Sequence, residues 1–265
     1  MGERRPYGSG CYRRRIELRA SEGTARGELG DDFHHFIVEI AHDGRRVSDV
    51  RGEPRRIPWT TCPGALVPLQ AMKGAEIAEP VLSLSRHTPS RAQCTHLHDL
   101  TCLTIAHAAR ALRGGARERR YDVTIPDRID RRADCRVDVD GMPVLHWSLR
   151  GLRIVGGSDG RFDDLSIGSK PFREALGGLD GPDAIEAAWV LQRAVFIGLG
   201  RQHDFDAMET AREFAGEVGG GCHAFAPERL DQGLRILGNA YDFSSGPEAI
   251  LLQTPNAPGA LDRRR

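Results

Sequence analysis

Two Asp-Gly pairs, Asp43-Gly44 and Asp140-Gly141, each close a run in which apolar and polar side chains alternate. Asp-Gly is a strong hairpin signal because tight turns between twisted strands need positive φ, which these residues tolerate. The chain is therefore built around antiparallel strands. Before the first pair lie residues 14–22 and 24–32, turned at Glu22-Gly23, and the strand 35–40 (HFIVEI). Residues 45–51 return with Val47 and Val50, completing a first meander. A second β region takes in 121–125, 135–139, 143–149 and 152–155.

Helical signals follow each β region. Leu66, Leu69 and Met72 recur at three-residue spacing and stop at Lys73-Gly74, which predicts a helix over 63–72. Residues 80–92 and 156–168 read as loops. Thr95 caps a long helix to Leu112, closed by Arg113-Gly114-Gly115. Further helices are expected at 170–177, 183–199, 204–217 and 227–238, with Trp189, Leu191 and Val195 in the core. The fold class is α+β. An α+β region at 12–115 is followed by a meander with helices at 116–265, packed on the first. No internal repeat is visible.

The 37 basic residues balance 37 acidic ones, so no net field draws in nucleic acid or anionic membrane. The runs Arg13–Arg15, Arg117–Arg120 and Arg263–Arg265 read as solvated faces or ends. No stretch reaches the ~18 apolar residues of a membrane span, and the opening MGERRPYGSG lacks the apolar centre of a signal peptide. Six cysteines without framework spacing are expected as reduced thiols in a cytoplasmic protein.

Cys62 lies where strand passes to helix, and Cys94 directly precedes a helix; the expectation is that both come together in one site. A thiol at a helix N-terminus sees the positive end of the dipole, so thiolate is expected. Strand alternation places Asp32 and His34 on one face, with Asp31 and His35 on the other. Asp32, His34, Cys62, Cys94 and His96 then offer the N, S and O donors of a zinc or iron site. Cys102 and His107 read as packing residues, and Cys11 and Cys135 have no donor neighbours. Gly219-Gly220-Gly221-Cys222-His223 lacks the Lys-Ser/Thr of a phosphate loop and reads as a turn.

The series DDFHHF, HDG, PWTTCPGA, MKG, CTHLHDL, AHA, YDVTIPD, HWSL and EAAWVLQRAVFIGLGR, over roughly 14–215, resembles the uncharacterised bacterial family DUF2889, which implies no established activity. The stretch from Phe36 to Glu79 is also similar, more distantly, to the core of NifU/IscU-type iron–sulfur scaffold proteins. That resemblance implies cluster-type positions at Cys62 and Cys94 and a matching aspartate at Asp32. The first scaffold cysteine falls at Gly30, and the histidine before the last cysteine is Gln93. The remaining set suits one zinc or iron ion better than a transferable cluster.

The function expected is a metal-binding enzyme, of lyase or hydrolase type, acting on a small organic catabolite that is aromatic or anionic. Trp59 and the pair Arg55-Arg56 would hold substrate, Asp99 or His98 would act as acid or base, and Trp147 with His146 would form the opposite wall. The alternatives are a metal or sulfur carrier of the NifU/SufE type, and a structural or binding module in which Cys62 and Cys94 are buried apolar groups.

Overall fold

The computed structural model describes residues 6–89, 92–218 and 221–252. Its strands are β1 (Cys11–Ser21), β2 (Thr24–Asp31), β3 (His35–His42), β4 (Val47–Arg56), β5 (Glu118–Pro126), β6 (Arg132–Val139), β7 (Met142–Arg150) and β8 (Arg153–Gly157). They form one antiparallel sheet in the order β4-β3-β2-β1-β5-β6-β7-β8. The two meanders are thus joined edge to edge through β1 and β5, with Ile16 opposite Tyr121. The Asp-Gly signals turn as expected. Asp140 and Gly141 both take positive φ, 52° and 86°, while Asp43 accepts from the N–H groups of Arg45 and Arg46, 2.8 Å each.

The helical stretches are α1 (Leu66–Leu69), α2 (Val81–Leu84), α3 (Thr95–Leu112), α4 (Lys170–Gly177), α5 (Pro182–Gly198) and α6 (Ala215–Val218). Each four-stranded meander is followed by one long helix, α3 or α5, so the chain repeats a topology that its sequence conceals. The two long helices run antiparallel over the same face of the sheet: Arg193 meets Asp99 at 3.0 Å near one end, and Arg110 meets Glu186 at 2.9 Å near the other. Beneath them the inward set of β1, from Tyr12 and Arg14 to Ile16, Leu18 and Ala20, is buried. Gly27 lets α3 lie directly on β2, since a Cβ there would collide with Thr104 and Leu100. The outer face carries ion pairs such as Arg15–Asp122, 2.6 Å, and Arg26–Glu28, 2.7 Å. No helix among the described residues is long and apolar enough to cross a membrane.

Three expected helices are not continuous. Residues 62–72 divide into a 3-10 turn at Cys62–Ala65, α1, and a second 3-10 turn at Gln70–Met72. Residues 204–217 break into 3-10 turns at Phe205–Ala207 and Ala211–Phe214 before α6, restarted by a capping box at Thr210 and Glu213. The stretch 227–238 holds one short turn and then runs extended, with Arg235 bridging Trp59 and Leu234 bridging Thr210. The first of these segments packs Leu66 and Leu69 on Gly52 of β4 and the other two bridge one another at Thr210 and Leu234, so apolar spacing of three served local turns rather than one helix face. Trp147 is not a cavity wall: it is fully buried against Phe162 and Phe172, at 5.1 and 5.6 Å between ring centroids, and His146 points outward.

Candidate active site

The site is built on the connection between β2 and β3. Asp31 ends β2, and its backbone N–H donates to the His34 carbonyl at 2.9 Å, closing a tight turn. One Asp31 carboxylate oxygen accepts from the N–H groups of Phe33, 2.9 Å, and His34, 2.8 Å, and lies 3.1 Å from His34 Nδ1. A short acidic side chain capping its own following N–H groups is what curls such a turn. The other oxygen accepts from Tyr12 Oη and from Arg14 Nη2, each at 2.8 Å. His96, on the first turn of α3, stacks on His34 at 3.8 Å between centroids, and its Nε2 lies 3.1 Å from Arg14 Nη2. An arginine only donates, so His96 Nε2 is the acceptor.

This corrects the expected pairing of faces. Asp31, not Asp32, shares the site with His34, because 32–34 form a turn and the strand's alternation stops at Asp31. Asp32 points elsewhere: its carboxylate meets Arg201 Nη1 at 2.8 Å, and Arg201 in turn meets Asp127 at 2.7 Å. Arg56 is likewise not a substrate contact. It is 4% exposed and donates to the carbonyls of Asp31, Asp32, His34 and Asn239, while stacking over Tyr241 at 4.4 Å. Its role is to clamp the turn that presents His34.

Burial acts to raise the Asp31 carboxyl, but His34, Arg14 and the hydrogen bonds hold it well below the usual carboxylate range. Burial, aided by His96, depresses His34 to about 3, against the pull of Asp31. Burial also lowers His96. Both rings are therefore neutral near pH 7. With the Nδ1 proton held by Asp31, the free lone pair of the neutral His34 ring sits on Nε2.

These groups open on a cavity of ≈ 490 Å³ at the N-terminus of α3 and the C-terminus of α5. Its wall is largely aromatic, with Phe33, Phe36, Trp59, Phe205, Phe214 and Phe225; Trp59 meets Phe225 edge-on at 6.0 Å. Arg193 also lines it, one-third exposed beside Asp99. His98 does not line it: it is fully buried, and neither ring nitrogen has a hydrogen-bond partner among the described residues, Nδ1 lying 3.6 Å from Asp99, so it is not the acid or base expected.

Cys62 and Cys94 do line the same cavity, joined by Cys222 from the C-terminal segment. The expected thiolates are not formed. Burial, then the neighbouring Cys94 and Cys222, pushes the Cys62 thiol well up, and burial pushes Cys94 up to about 12 despite the N–H groups at the start of α3. Desolvation outweighs the helix terminus here.

The five donors expected to form one metal site thus separate. Among the described residues, the group with ligand atoms all within 4.8 Å is Asp31, His34 and His96, which could hold a metal ion. Arg14 bears on that fit, because its guanidinium already takes the Asp31 oxygen and the His96 nitrogen that an ion would need. Arg14 was legible in principle: it falls on the core-facing parity of β1 with Ile16 and Leu18, where a buried charge demands a partner. Cys222 gave no such signal, and Gly219 and Gly220 beside it lie outside the described residues. No family model matches this chain, and no match was found among curated proteins.

Proposed function

We propose that this protein is an enzyme of lyase or hydrolase type that moves a proton on a small, largely apolar, anionic molecule held in the cavity, with His34 as general base. The observation that carries the reading is the Asp31–His34 pair, whose histidine lines an aromatic-walled cavity. Asp31 fixes the tautomer and favours the imidazolium that forms when His34 takes a proton. A resting conjugate-acid pKa near 3 is low for a base. A bound anion would raise it by stabilising the imidazolium, coupling substrate charge to basicity. Arg193 is the group placed to hold such an anion, Asp99 beside it orients the guanidinium, and the imidazolium of His34 can return the proton it has taken. The aromatic wall keeps out water and suits a ring or branched chain.

Burial of Cys62 and Cys94, each 8% exposed, favours this reading over a sulfur or cluster carrier, which needs a surface thiol. A second reading keeps Asp31, His34 and His96 as ligands of one zinc or iron ion, on the strength of their 4.8 Å spacing. It requires Arg14 to turn away. Membership of DUF2889 remains a proposal resting on the order of the sequence motifs.

The test is a panel of small aryl and alkyl carboxylates, read by thermal shift and ligand-observed NMR, alongside elemental analysis of the purified chain. Expected are binders that stabilise wild type and His34→Gln but not Arg193→Gln, with turnover lost in His34→Gln. Binding indifferent to Arg193→Gln would sink the anion assignment. One tightly held zinc or iron, lost in His34→Gln, would favour the second reading.

A further inference from the structure

Residues 239–251 come back to the turn between β2 and β3 from the side away from the long helices. Gly30 alternates with Glu28 on that outer face, and a Cβ added there would lie 2.6 Å from Ile250. Ile250 fills the place, fully buried, and gathers with Tyr241 and Phe243 into a small apolar cluster separate from the main core. Polar holds fasten the same segment. The Tyr241 N–H donates to the Asp32 carbonyl at 2.7 Å, and the Asn239 side-chain amide donates to the Ile57 carbonyl at 2.7 Å. Ser244 Oγ accepts from the Cys11 N–H at 2.9 Å and donates to the Cys11 carbonyl at 3.2 Å. Arg56 joins segment and turn through one planar group. Its Nη1 donates to the carbonyls of Asp32 and Asn239, 3.0 Å each, and its Nη2 to those of Asp31 and His34, the last at 3.0 Å. The Tyr241 ring covers the guanidinium at 4.4 Å.

We infer that residues 239–251 are a clasp that positions His34: seated, it fixes the turn presenting that ring to the cavity, and lifted, it frees the turn while the sheet and long helices stand. Tyr241 and Ile250 are its positioning residues, acting through Arg56 and Gly30. The Asp31 carboxylate serves the N–H groups of Phe33 and His34, whereas Arg56 and Tyr241 serve the carbonyls of the turn. A lifted clasp therefore takes away one of the two sets of bonds that hold the turn, and opens Arg56 to water that competes for its donors. A cluster of three buried apolar side chains apart from the core opens at lower free energy than the core itself. The consequence for catalysis rests on the proposed role of His34; the hold on the turn does not.

Native-state amide hydrogen exchange on the full chain, read by NMR, tests the clasp. The N–H groups of Phe33, His34 and Tyr241 are expected to share one opening, easier than that of Leu191 in α5. Ile250→Ala should speed all three at least about tenfold relative to Leu191, and Ile250→Val, which spares more of the packing, about two- to tenfold. Phe172→Leu, in the core of the second half, should leave the three unchanged relative to Leu191. Faster exchange of Tyr241 in Ile250→Ala with Phe33 and His34 unchanged overturns the clasp, as does equal acceleration of the three and Leu191. Turnover separates the clasp from the proposed function: Ile250→Val should lower kcat while KM and Arg193-dependent binding are kept. Exchange as expected with kcat unchanged would uphold the hold on the turn and remove His34 as the base.

Discussion

Asp31→Asn strikes the buried charges at the centre of the site while keeping their shape. One Asp31 oxygen serves Phe33 and His34; the other accepts from Tyr12 Oη and Arg14 Nη2. An asparagine whose oxygen serves the turn must aim its NH2 at Tyr12 and Arg14. The tyrosine can rotate to accept, but the guanidinium has only donors. Arg14, 3% exposed, would be left a buried cation with its carboxylate gone. Removing one partner of a buried pair costs about 3–5 kcal/mol, a large share of the ~5–15 kcal/mol that holds a typical domain. Arg14→Met in the same chain removes the stranded cation, so the double variant should recover at least about 2 kcal/mol relative to the sum of the singles. Urea unfolding at pH 7, followed by circular dichroism on all four proteins, measures the cycle. A cost below about 1 kcal/mol for Asp31→Asn, or strict additivity, would refute the buried ion pair as the organiser of this turn.

His34 and His96 should make acid destabilising, while Asp32, pushed up by burial to about 7, acts in the opposite sense over the same window. His34 and His96 are held below their ordinary 6.5, so below that pH the unfolded chain binds protons that the folded one refuses. Stability present above pH 6.5 is then lost on the way down to about 3, with Asp31 adding the same sign once its unfolded value of 3.8 is passed. Between about pH 7.5 and 4.5 the urea midpoint of His34→Phe should gain on that of wild type as the pH falls, because Asp32 is common to both; a difference independent of pH contradicts the burial argument. Gly27→Ala should cost about 1–3 kcal/mol by lifting α3 off β2, and an unchanged urea midpoint would show that the helix shifts freely. In folded protein at pH 8, Cys62 and Cys94 should be alkylated more slowly than the half-buried Cys11, as peptide mass spectrometry can follow. Faster labelling of Cys62 would restore the reactive-thiolate expectation.

The hairpins were legible because their signals are local: Asp-Gly needs only its own backbone to form a turn. The long helix from Thr95 to Leu112 was legible for the same reason, with apolar spacing running up to a double-glycine stop. What the sequence hid depends on neighbours far along the chain. The turns over 204–217 exist because Phe205 and Phe214 pack edge-on, 4.9 Å between centroids, over the cavity. Asp32 resembled a ligand until Arg201, 169 residues away, claimed it. At Cys62 and Cys94 the dipole argument had the right sign but lost to desolvation, whose size only the tertiary structure reveals.

The repeated topology explains why chemistry is expected in the first half alone. Each half sets a buried tyrosine and carboxylate against an arginine: Tyr12 and Asp31 with Arg14 in the first, and Tyr121 and Glu186 in the second with Arg110, which reaches across from α3 of the first. In the second half the carboxylate comes from α5, fully buried, so the cluster serves to join the two long helices. The connections between strands differ as well. β6 and β7 are joined by the two residues Asp140-Gly141, a turn too tight to send a side chain back under the helices. Between β2 and β3 stand three residues, Asp32 to His34, folded over the Asp31 carboxylate and clamped from behind by Arg56. That extra residue turns His34 inward against His96. If the reading is right, shortening 32–34 to a two-residue Asn-Gly turn should leave the sheet intact by circular dichroism and abolish ligand-induced stabilisation. Retained binding would place the site elsewhere in the cavity.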